Sequence, residues 1–259
     1  MRNRPIAILT LVGAMLVGNG CGLEPFASRP YKGEMSVVEL SDHTKIRYGL
    51  FEPESISERS EYPVVIAMPL GFETYKNAAL TIRQIWQSEA EKNGWVVVSP
   101  AEPDERFFWR DKWLYGEGGE EYFPEFLSHL LGKYNVRGAR FHLVAFGHNG
   151  DGAISIALQS PGYFETLILV PDFDPPETQL RKLAETGQLC ITMLVSEESA
   201  HWSVACGREP PNIPGVLVRR IPIRDPGTRE DIGPFVEVLP FVAEEISLGS
   251  GTVEDKPGK

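Results

Sequence analysis

The chain has 259 residues, 42% hydrophobic and 24% charged, with 25 glycines, 21 prolines and 3 cysteines. That length suits one or two domains, and the apolar fraction supports a sizeable core, which excludes global disorder. Three cysteines exclude a miniprotein built on disulfides, and a net charge of −11 with no basic block argues against nucleic acid as a partner, because no cationic surface is available to displace counterions from phosphates.

Arg2 and Arg4 precede an apolar run from residue 6 to residue 17, followed by Gly18, Asn19, Gly20 and Cys21. Positive, apolar and then small residues are the layout of an export signal. The run is shorter than the ~20 residues that span a bilayer. The segment resembles a bacterial lipoprotein signal, in which a cysteine behind the apolar run is lipidated and begins the mature chain. Gly20 fits that pattern, whereas Gly18 and Asn19 depart from it. The resemblance implies a signal peptide over 1–20, lipidation at Cys21 with the membrane as partner, a linker over 21–35 and a place in the bacterial envelope. Cleavage by ordinary signal peptidase is the alternative. In an exported chain Cys190 and Cys206 can pair; two buried thiols are the other reading, and only Cα geometry decides.

Residues 37–40 and 45–51 are short β-type runs around the turn-rich tetrad 41–44, which predicts a hairpin. Residues 63–69 form a continuous apolar run bounded by prolines, as expected of a strand buried on both faces. Ala79, Ile82, Ile85, Trp86 and Ala90 recur at helical spacing within 77–92, and Gly94 ends that helix. Residues 95–99 are the next buried strand. The unit then repeats, with a helix over 122–134, a strand over 140–146, a short helix over 150–159, and strands over 166–170, 190–195 and 216–223. A last amphipathic helix covers 231–246, with Pro234 and Pro240 expected to shorten or kink it. A domain over 36–248 and a loose polar tail over 249–259 follow. A hairpin leading into alternating strands and helices predicts an α/β fold: a mostly parallel central sheet with helices on both faces. Ligands in such sheets sit at the carboxyl ends of the strands.

The segment 140–153, RFHLVAFGHNGDGA, combines a strand, a run of small residues and a helix start. It resembles the nucleophile elbow of the α/β-hydrolase fold, and more narrowly that of secreted esterases of the feruloyl-esterase and polyhydroxybutyrate-depolymerase kind. Gly152, Ala153, Ala157, Leu158 and the run 161–164, PGYF, fall in the same register without a gap. The elbow is a sharp turn, tolerated only beside small residues, that lifts a nucleophile over a helix N-terminus. The ungapped register puts Gly147 where the family has its serine, with Ala145, Asn149 and Gly150 at its glycine positions. A shift of two residues would put Asn149 at the apex, but it would set Asp151 at a crowded small-residue position, so Gly147 is the expected apex. Glycine has no side chain and an asparagine amide is not a nucleophile, so neither register supplies the covalent step of acyl transfer.

The resemblance also tells where the other partners of a triad belong. The acid follows the strand over 190–195; Ser199 stands at the aligned position, with Glu197 and Glu198 beside it. The histidine follows the last strand, yet that stretch reads 224–228, RDPGT, and no histidine follows His201. A triad acts as a unit, so the loss of nucleophile and base removes most of its rate. His148, Asn149, Asp151, Glu198 and His201 are the residues left to rebuild a site. Asp151 at a displaced turn would act as in dehalogenase-like members of the fold; otherwise it caps the helix. His148, Asp151, His201 and a glutamate have none of the spacings of a metal site, so no metal or cofactor is expected. His129, His142 and His43 read as helix-surface, core and turn residues.

Two loops at the carboxyl edge are candidate ligand contacts. The run 69–72, PLGF, follows the first buried strand, where the family supplies backbone N–H groups to an anion hole. Leu70 and Gly71 carry that expectation. The run 107–115, FFWRDKWLY, offers Trp109 and Trp113 for an aryl or sugar-like ligand, with His148 nearby; packing onto the sheet edge is the competing role. Three readings result: an esterase fold with an eroded triad that binds a small ester-like or aromatic ligand or a protein; an active carboxylic-ester hydrolase with a non-standard nucleophile or base; and a structural envelope lipoprotein.

Overall fold

The first buried strand, β3 (Val64–Ala67), has every side chain buried, as does β4 (Val96–Pro100). Continuous Val/Ile runs of this kind are stable only with helices on both faces. The computed structural model describes residues 34–70, 75–101, 122–170, 177–197, 212–222 and 233–249, apart from the side chain of His148, and all of them belong to one compact unit, Lys32–Lys259. The other strands are β1 (Glu34–Glu39), β2 (Lys45–Phe51), β5 (Phe141–Phe146), β6 (Phe164–Val170), β7 (Cys190–Ser196) and β8 (Val216–Ile221).

The described strands form an 8-stranded sheet in the order β1-β2-β4-β3-β5-β6-β7-β8. β1 and β2 make the expected antiparallel hairpin, and β2 pairs antiparallel with β4. Every other pairing is parallel. Strand order changes direction at β3, which has β4 on one side and β5 on the other. A crevice at the carboxyl ends is therefore expected between the loops that leave β3 and β5.

Side chains alternate across the sheet. Ile66, Val98, Leu143, Leu167 and Met193 share one core with α3 (Phe123–Lys133), α4 (Gly150–Gln159) and α5 (Glu177–Glu185). The opposite face carries a helical run made of α1 (Tyr75–Thr81), a π-turn (Ile82–Trp86) and α2 (Gln87–Asn93), with α6 (Gly233–Gly249) beside it. Gly94, with φ 69°, ends α2 as its spacing predicts.

Several expectations need correction. Ala78 is buried where Ala79 was expected, because position 78 stands at i, i+4, i+7 and i+8 with Ile82, Ile85 and Trp86 and so lies nearer the middle of their apolar stripe. β8 stops at Ile221 instead of continuing to 223, because Pro222 has no N–H for the ladder. α6 runs unbroken through Pro240, which lies on its exposed side, and extends to Gly249, which was expected in the tail. Helix α5 was not foreseen: its stripe has only Leu180 and Leu183 buried, too short for a period to show. Cys190 is exposed with a free thiol, and Cys206 lies outside the described residues.

Candidate functional site

β5 leaves the sheet at Phe146, still extended at φ −109° and ψ 138°. Gly147 then turns left-handed, with φ 59°. A single 3-10 turn, Gly147–Asn149, leads into α4. The apex of this strand–turn–helix is therefore Gly147. Asn149, at φ −75° and ψ −2°, is already helical, so the register shifted by two residues is not the one the backbone adopts. The turn is tight because its surroundings are small: Ala145, Gly150, Gly152 and Ala153 are all buried. A glycine takes φ near +60° without the Cβ clash that other residues suffer.

His148 continues the turn immediately beyond the apex. The Asn149 side chain is buried, 9% exposed, and its amide donates a hydrogen bond to the carbonyl of Pro69. This contact joins the loops leaving β3 and β5 at the position where strand order reverses. Asp151 is exposed in the first turn of α4, where the helix dipole favours a carboxylate. Leu70 is half-buried, and its backbone N–H donates to the Thr81 hydroxyl at 2.8 Å. At the far side of the sheet β7 ends in buried Ser196, and the N–H of exposed Glu197 donates to Ile221 carbonyl oxygen at 2.9 Å. Gly71, Trp109, Trp113, Glu198, His201 and Cys21 lie outside the described residues.

The structure thus ties the loop before Leu70 to the elbow of Gly147 and Asn149 through the Pro69 carbonyl and leaves Asp151 one step along α4. Thr81 was missed from sequence. It sits in an otherwise apolar helical stripe, where a buried hydroxyl needs a partner, and that need was the only available signal. Also missed was an aromatic stack under the elbow. Trp86 packs on Phe146 at 6.0 Å between ring centres and on Trp95 at 6.4 Å, and Phe146 meets Phe235 of α6 at 5.4 Å.

Farther down the sheet, His142 is fully buried. Its Nδ1 lies 3.0 Å from the Thr166 hydroxyl, while Nε2 has no hydrogen-bond partner and faces Glu165 at 3.9 Å. Burial pushes the imidazole down to about 4, helped by Arg137 and Arg140. Burial also raises the Glu165 carboxyl. This group lies within β5 and β6, toward the ends opposite the crevice, and reads as core. Among the described residues no group of His, Cys, Asp or Glu could hold a metal ion.

No protein-family model matches the chain, and no curated protein matches it. Solved structures do. A ferulic acid esterase is 16% identical, with a TM-score of 0.60 over 85% of this chain and 98% of its own. An S-formylglutathione hydrolase from Agrobacterium tumefaciens is 16% identical, with a TM-score of 0.59 over 86% of this chain and 97% of its own. A thermostable esterase is 16% identical, with a TM-score of 0.56 over 84% of this chain, which spans 62% of that enzyme's length. With its mostly parallel eight-stranded sheet, its strand–turn–helix after β5 and these neighbours, the chain has the α/β-hydrolase fold of esterases.

Proposed function

We propose that this protein is an exported esterase-fold protein that has lost acyl-transfer chemistry and binds a small ester-like or aromatic ligand at the crevice between the β3 and β5 loops. One observation carries the reading. The residue at the elbow apex, φ 59°, is Gly147, and it offers no atom to attack a carbonyl. The absence of a histidine after His201 in the sequence supports it from a second side. The signal-like N-terminus and Cys21 complete the proposal with a lipid anchor in a bacterial envelope.

The test is turnover of short-chain p-nitrophenyl esters by the purified protein, beside Asp151→Ala and His148→Ala. Rates equal to an inert control protein support the reading. Turnover abolished by either substitution would mean that a site has been rebuilt around the elbow, and the protein would then be a hydrolase with an unusual nucleophile or base.

A further inference from the structure

The carbonyl of Pro69 and the N–H of Leu70 belong to one peptide plane, and both ends of that plane are held. The oxygen accepts from the Asn149 amide on the elbow; the N–H donates to Thr81 on α1 at 2.8 Å. Described peptide bonds are trans, so the two groups point in opposite directions. The oxygen therefore faces the elbow and the N–H faces away from it. Asn149 and Thr81 are 9% and 2% exposed, so each bond has one partner shielded from water. The Pro69 ring fixes its own φ and removes its own N–H, leaving no alternative donor at that position. The strand just before is also held, since Met68 N–H donates to Val144 carbonyl oxygen at 2.9 Å.

We infer that Asn149 and Thr81 are positioning residues that clamp the 69–70 peptide with its N–H turned out of the crevice. A site for an acyl oxyanion needs N–H donors converging on the developing charge. Here the first peptide beyond β3 turns a carbonyl, not an N–H, toward the elbow. The 69–70 peptide accordingly offers no N–H to an anion at the elbow. The inference rests on the reading of this crevice as an eroded ester site and adds which residues set its polarity. Turning the Leu70 N–H inward breaks both bonds, so the loss of either one lowers the cost of the turn.

Amide exchange and chemical shifts of 15N-labelled protein test it, with phenylphosphonate as the anionic probe. In the unaltered protein the Leu70 amide is expected to be protected about 100-fold or more, as a buried bonded amide is, and to keep its shift when phenylphosphonate is added. Thr81→Ala should raise Leu70 exchange about 10-fold or more and make its resonance respond to the probe, while Val65 and Ile66 stay protected. Thr81→Ser, which keeps the hydroxyl, should restore protection and silence. Asn149→Ala should behave like Thr81→Ala. A Leu70 amide that exchanges freely, or that shifts with phenylphosphonate in the unaltered protein, overturns the clamp whether or not any variant folds. Ester turnover with a protected, silent Leu70 would instead overturn the eroded-site reading and leave the clamp standing.

Discussion

The Trp86 and Phe146 rings lie 6.0 Å apart and tilted by 56°, so the π-turn on one face of the sheet bears directly on the residue before the elbow apex. Trp86 is fully buried, and its neighbours Trp95 and Phe235 close the stack. Trp86→Ala should cost about 3–5 kcal/mol, as large-to-small changes in a packed core do. Trp86→Phe should cost less, because a ring still meets Phe146. Urea midpoints at unchanged slope measure both.

The left-handed φ of 59° at Gly147 makes a second expectation. Gly147→Ala should destabilise the fold by about 1–2 kcal/mol, the penalty for a Cβ in that conformation. Gly147→Ser should incur a similar cost and still show no turnover of p-nitrophenyl acetate, since the proposed site has no general base. Appreciable turnover would reveal a base at the elbow.

His142 makes stability depend on pH. Its folded value, pushed down to about 4 by burial, lies below the ordinary 6.5. The unfolded chain therefore binds the proton first as pH falls. The stability contribution is complete above 6.5, declines from there and is gone below about 4. The full swing is about 3 kcal/mol at 1.36 kcal/mol per pKa unit. Denaturation curves between those limits should flatten in His142→Gln. An unchanged slope would show that other groups govern the acid limb.

Helix α6 meets β6 too closely for another atom. A Cβ on Gly249 would stand 2.4 Å from Thr166 Cγ2. Gly249→Ala should lower stability by about 1–3 kcal/mol, as overpacking does. Thr166→Ser removes the obstructing methyl and keeps the hydroxyl beside His142. The double substitution should therefore cost less than the sum of the two single ones, a coupling that a thermodynamic cycle reads directly.

Glu244 and Glu245 both pair with Arg219, but their surroundings differ. The Glu245 side chain is 7% exposed and also accepts from the Thr192 hydroxyl at 2.9 Å; the Glu244 side chain is 56% exposed. Glu245→Ala leaves the Thr192 hydroxyl without its acceptor and should cost about 1–3 kcal/mol. Glu244→Ala should cost at most about 1 kcal/mol, as exposed pairs do. Equal losses would mean that burial plays no part in this pair.

The sequence by itself determined the elements that hydrophobic runs spell out. The buried runs at β3 and β4 and the hairpin before them are visible because each strand sees only one kind of environment per face. It also located the elbow, since the small residues around Gly147 admit few registers. For the apex, the left-handed φ at Gly147 agrees with the sequence's preference for it over Asn149. Only the tertiary structure decided the rest. The π-turn inside the helical run from Tyr75 left no mark in its periodicity. The pairing of Asn149 with Pro69 spans 80 positions of chain. That contact exists because β3 and β5 are adjacent in the sheet though β4 separates them in sequence, and strand order is set by the whole core rather than by either segment.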